Sequence, residues 1–173
     1  LGFACVAYAG FAFAVAPQYY PRFLFQYFLT TVGMLPLLVV LALAVGGALE
    51  NPRSPLSGMR SVALASAGQA MGTLTLFVAC IAAFTTLKFA IPEIAPFYAD
   101  PSLANLDELI HGIAPWQFIH GWTPPWAYPA IEFLYSDLWF LQWFGMIVFM
   151  AFWRNRQARL RYLWAFALTM LAV

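Results

Sequence analysis

Residues 23–49 read FLFQYFLTTVGMLPLLVVLALAVGGAL, 27 positions without a charge. A helix rises 1.5 Å per residue, so this run reaches about 40 Å, more than the roughly 30 Å of a bilayer's hydrocarbon core. The apolar residues do not alternate with polar ones, which excludes a barrel strand. Residues 61–87, SVALASAGQAMGTLTLFVACIAAFTTL, repeat the pattern: 27 positions and again no charge. The two runs predict two transmembrane helices joined by the loop ENPRSPLSGMR (50–60).

The whole chain agrees with them. Of its 173 residues, 64% are hydrophobic, 18% aromatic and only 9% charged. A soluble domain carries about 25% charged residues, so too little polar surface exists here to cover a globule in water. Three further apolar runs stand at 1–16, at about 133–153 and from 162 to Val173. The first and last are shorter than a span and read as truncated. The expected fold is therefore all-α: a polytopic transmembrane bundle of about five spans. Residues 1–60 would hold spans one and two with their loop. Residues 61–173 would hold span three, an outer loop over 89–132, span four and the start of span five. Cys5 and Cys80 carry no metal or redox spacing and are expected towards opposite leaflets.

Charge sets the expected orientation. Arg53 and Arg60 lie in the first loop, and Arg154, Arg156, Arg159 and Arg161 fill RNRQARLR (154–161). Short loops rich in Lys and Arg stay in the cytoplasm. From Phe89 to Trp153 there is no Lys or Arg, yet six of the seven acids fall there. The loop 89–132 within it is expected on the extracytoplasmic side of a bacterial inner membrane, with Arg22 the one dissenter and Lys88 able to snorkel. No basic cluster of nucleic-acid type occurs, so membrane lipids and other membrane subunits are the expected partners.

Inside the interval, DPSLANLDELIHG (100–112) has helix punctuation: Asp100 as N-cap, Pro101 in the first turn and Gly112 past the end. Leu103, Leu106, Ile110 and Ile113 recur at helical spacing, predicting a short amphipathic helix over 100–111 in the interface plane. Five of the seven tryptophans follow, from Trp116 to Trp143, in the manner of an aromatic belt. TPPW (123–126) and YPA (128–130) predict extended chain before span four. GQAMG (68–72) predicts close packing through small residues, and Pro36 a kink.

The candidate chemistry is thin. His111 and His120 are the side chains best suited to a base or a haem, pigment or metal ligand. They are nine residues apart with Gly112 and Pro115 between them, so one helix face cannot present both. Asp107 and Glu108 are neighbours that point apart, so they make no carboxylate pair. Glu132 and Asp137 flank the outer end of span four, where water reaches. No catalytic, cofactor or metal residue is assigned; His111, His120 and Asp107 are the outer-loop candidates.

From about Phe97 the order of features resembles the type 2 phosphatidic acid phosphatase (PAP2) superfamily, in its branch with inositol phosphorylceramide synthases. The pattern DPxLxxLDxxLHG…PW is matched by Asp100, Pro101, Leu103, Leu106, Asp107, Ile110, His111, Gly112, Pro115 and Trp116. LYSDLWFLQWFGMIVFMAFWR (134–154) and RLRYLWAFALTML (159–171) also have the family's look, so the resemblance covers roughly 61–173. It implies a lipid phosphatase or phosphotransferase. That family's Lys and Arg-Pro, Ser-Gly-His and later Arg and His motifs are missing here, and they are expected downstream of Val173. The rival expectation, from another class, is a non-catalytic subunit of a larger membrane complex, associated with a pigment or haem.

Overall fold

A computed structural model describes the backbone of residues 1–172 and the side chains as far as Met170. The chain is 86% helical, and no strand occurs among the described residues. Helices α1 (Gly2–Val15), α2 (Tyr20–Glu50) and α3 (Pro55–Ile94) come first, then α4 (Asp100–His111), α5 (Pro115–Trp122) and α6 (Ala127–Glu132). A π-helical stretch, Phe133–Leu138, joins α6 to α7 (Trp139–Phe152), and α8 is Arg156–Ala172. Among the described residues, three helices are long and apolar enough to cross a membrane: Tyr20–Glu50, Pro55–Ile94 and the continuous run Ala127–Phe152. At 14 and 17 residues, α1 and α8 are shorter, about 21 and 25 Å.

The chain divides into two compact units, one of residues 1–90 with 143–173 and the other of 91–142. In the first, α3 supplies the central surface. Its Phe77 meets Phe144 at 5.3 Å, Trp143 at 5.6 Å and Phe166 at 5.9 Å between ring centroids. Phe144, Ile147 and Val148 of α7 are buried beneath that cluster. Trp143 thus leaves the expected aromatic belt, because in α7 it falls on the face turned to Phe77 and Phe166. By contrast α2 keeps Phe25, Leu37, Val40 and Val45 exposed, the surface a span shows to lipid.

GQAMG makes no close helix–helix approach within the chain. A Cβ added to Gly68 or Gly72 would meet nothing within 4 Å. The face of α3 that packs carries Ser66, Ala70 and Leu74 instead, and the glycines point away from it. Backbones meet at Gly47 of α2 and Gly58 of α3, where a Cβ on Gly58 would lie 2.3 Å from the Gly47 carbonyl oxygen. A turn held by the Asn51 side chain, with Ser54 N–H donating to its Oδ1 at 3.3 Å and Asn51 Nδ2 donating to Ser57 Oγ at 3.2 Å, closes this hairpin. Along the same pair, Tyr27 Oη and Thr85 Oγ1 share a hydrogen bond of 2.9 Å. The helix α2 continues through Pro36.

Polar side chains tie the other helices. Gln69 Nε2 donates to the carbonyls of Ala151 (3.3 Å) and Trp153 (3.4 Å), and Arg159 Nη1 donates to Trp153 O at 2.7 Å. These bonds satisfy orphan carbonyls at the end of α7. Asn155 Oδ1 then accepts from Ala158 N–H at 3.1 Å and caps the start of α8.

The cysteines correct their expected placement at opposite leaflets. Cys5 and Cys80 border one apolar cavity of about 110 Å³, together with Tyr8, Leu76 and Phe166. Their level follows from the other end: Tyr19 and Phe23 meet Phe89 with tilted rings, at 6.4 and 4.9 Å between centroids. Cys80 is nine residues before Phe89 on α3, so the two cysteines lie roughly 13 Å along that helix from the contact.

Candidate functional site

The second unit holds the sequence candidates. Helix α4 covers Asp100–His111 as expected, but Asp100 is its first residue and Ala99 occupies the cap, with no side-chain cap bond. Pro101 fixes the backbone in that first turn, and the Asp100 carboxylate still favours the helix's positive end. Gly112 stops the helix in the left-handed conformation (φ 76°), its N–H donating to Glu108 O at 2.8 Å. Only glycine takes that conformation without strain.

Beyond it, TPPW (123–126) is a bend and turn and YPA (128–130) is helical instead of extended. Pro115 opens α5 with no N–H to lose, and α6 begins at Ala127 and runs on into α7. Pro124 and Pro125 form a turn, with Ala127 N–H donating to Pro124 O at 2.9 Å, so they separate two helices instead of straightening the chain. Glu132 ends α6, and Asp137 lies in the π-helical stretch; both are exposed. Helix α4 packs against α5, yet neither buries a side chain. Leu103, Leu106, Leu109 and Ile110 stand exposed, Leu109 by 81%.

Both histidines are exposed and both are oriented by their own helices. His111 Nδ1 lies 2.8 Å from Asp107 O, and His120 Nδ1 lies 2.8 Å from Trp116 O. A carbonyl only accepts, so Nδ1 carries the proton in each ring and Nε2 is the nitrogen turned outward. His120 is further held by Trp116, edge-on at 5.7 Å, and by Tyr128, stacked at 5.8 Å. Tyr128 Oη also donates to His120 O at 3.3 Å. Asp107 contributes its backbone carbonyl to His111. No group of three His, Cys, Asp or Glu side chains forms a metal site among the described residues.

A second polar cluster escaped the sequence reading, in the first unit. Glu50, the one acid outside 89–153, forms an ion pair with Arg154 and accepts from Ser61 Oγ at 3.1 Å. The pair spans 104 positions, so the α2–α3 turn and the α7–α8 turn lie at the same end of this unit. A lone acid beside a basic loop was the available signal.

No family model, curated protein or solved structure matches the chain.

If the apolar face of α4 lies on a membrane, Leu106→Asp should lower the yield of folded chain several-fold, whereas Asn105→Asp should change little. Burying one leucine is worth roughly 1.5–3 kcal/mol. Size-exclusion chromatography of the detergent-solubilised chain reads both, and equal loss in the two variants would remove the face.

Proposed function

We propose that these residues are the N-terminal membrane part of a lipid phosphatase or phosphotransferase similar to the type 2 phosphatidic acid phosphatases, with its catalytic groups outside them. Three helices of membrane-crossing length support the membrane part of this reading. The observation that carries the rest is where the family-like pattern falls. Asp100 and Pro101 start α4, Gly112 stops it, and Pro115 starts α5. In the pattern Asp-Pro…His-Gly…Pro-Trp these residues are therefore helix boundaries that shape the second unit, not reacting groups.

The span count of five and the extracytoplasmic placement of 89–132 in a bacterial inner membrane belong to the same proposal. Phosphoryl transfer requires cations around the transferring group. No Lys or Arg stands between Phe89 and Trp153, so this face would shape lipid access to a site completed by other residues.

The rival reading is a subunit that binds haem or a pigment, and one observation favours it. Each histidine has its Nδ1 tied to a carbonyl and its Nε2 outward, the usual arrangement of a ligating imidazole. One experiment separates the two. The 173-residue chain should hydrolyse no lipid phosphate, and the longer natural protein should do so. An absorption spectrum of a coordinated haem or chlorin, abolished by His120→Ala, would establish the rival, and inactivity of the longer protein on every lipid phosphate would remove the first reading.

A further inference from the structure

We propose that the cavity beside the Glu50–Arg154 pair binds one glycerophospholipid whose headgroup carries both a phosphate and a primary ammonium. The cavity measures about 240 Å³ and lies among α2, α3 and α7. Ala42, Gly46, Val62 and Phe149 form its apolar wall, and Glu50 and Arg154 stand on its rim. That volume suits a headgroup and the first part of a chain. The remainder can follow the outside of α2, where Leu41, Val45 and Leu49 are all exposed.

The rim decides the headgroup. Arg154 is 56% exposed and gives only Nη1 to Glu50, so its remaining N–H groups can reach a phosphate. As fold glue such a half-exposed pair contributes at most about 1 kcal/mol. An anionic headgroup without an ammonium would meet Arg154 but also face the Glu50 carboxylate. A quaternary ammonium would bring charge but no N–H to donate. A primary ammonium beside the phosphate satisfies both, donating to Glu50 while Arg154 holds the phosphate. The site rests on the reading of α2, α3 and α7 as membrane spans, and not on any catalytic role.

Native mass spectrometry of the chain, released from equal parts phosphatidylethanolamine, phosphatidylglycerol and phosphatidylcholine, tests this. One phosphatidylethanolamine should be retained about tenfold over the others, the discrimination of one charge-assisted hydrogen bond. Glu50→Gln should erase that preference while keeping one phospholipid, and Arg154→Gln should lose retention. Gly46→Leu, which fills the cavity and removes neither charge, should also lose it; a Cβ there meets only Val62 methyls at 3.8 and 3.9 Å. Equal retention of the three lipids by the wild type, or retention unchanged by Gly46→Leu, overturns the site. A chain that stays monodisperse in water without detergent instead removes the membrane reading beneath it.

Discussion

Gly58→Ala will lower the unfolding midpoint of the detergent-solubilised chain, and among the glycines of α2 and α3 only Gly47→Ala will match it. The added Cβ would sit 2.3 Å from Gly47 O and 2.9 Å from Gly47 Cα, and neither atom is the end of a flexible side chain. Relief requires moving one helix backbone away from the other. That shift would break the register in which Asn51 closes the turn and Tyr27 meets Thr85. Overpacking at a rigid contact reaches about 3 kcal/mol. Gly47→Ala should behave alike, with its Cβ 2.5 Å from Met59 N and 2.8 Å from Pro55 O. The controls have the opposite sign. Gly68→Ala and Gly72→Ala meet nothing within 4 Å and should gain about 0.5–1 kcal/mol from better helix propensity. Thermal unfolding followed by circular dichroism reads all four, and a destabilised Gly72→Ala beside an unaffected Gly58→Ala would relocate the helix crossing.

That pair of glycines shows where reading the sequence stops. The absence of charge over 23–49 and 61–87 announces two spans, since a membrane helix must be apolar all round. Apolarity all round also hides which face meets a neighbour. GQAMG has the spacing of a contact but the wrong face, while Gly47 and Gly58 lie in different helices and form no motif in one segment. The same limit hid Gln69 and Glu50, whose partners lie 82 to 104 residues away. Gly112 was legible because a left-handed helix stop is a local requirement. Prolines 124, 125 and 129 misled for the converse reason: a proline marks a boundary, but whether extended chain or another helix follows is decided beyond it. In the candidate site the histidines were legible as residues, and their hydrogen bonds to Asp107 and Trp116 were not, because the helices that set the four-residue spacing had first to be placed.

The other large effect concerns sidedness. In a chain with Cys5 and Cys80 replaced by alanine, a cysteine at Ser102 should react with an impermeant thiol reagent in intact cells. One at Gln157 should react only after lysis. Six of the eight basic residues, Arg53, Arg60, Arg154, Arg156, Arg159 and Arg161, lie in or beside the α2–α3 and α7–α8 turns. The Glu50–Arg154 pair holds those turns at one end of the first unit, so their charges act together in orienting the chain. Arg22 and Lys88 are the two that oppose them, one near the start of α2 and one in the last two turns of α3. Six against two favours the six in the cytoplasm. The 40-residue α3 is long enough to cross a bilayer from Arg60, and a crossing there would put Ser102 outside. Arg53→Glu together with Arg60→Glu should then make labelling heterogeneous, because four bases remain to oppose two and the margin narrows. Labelling at 157 but not at 102 in the unaltered background would reverse the orientation. The Glu50–Arg154 end would then face outward, and the base-free interval would need a cause other than topology.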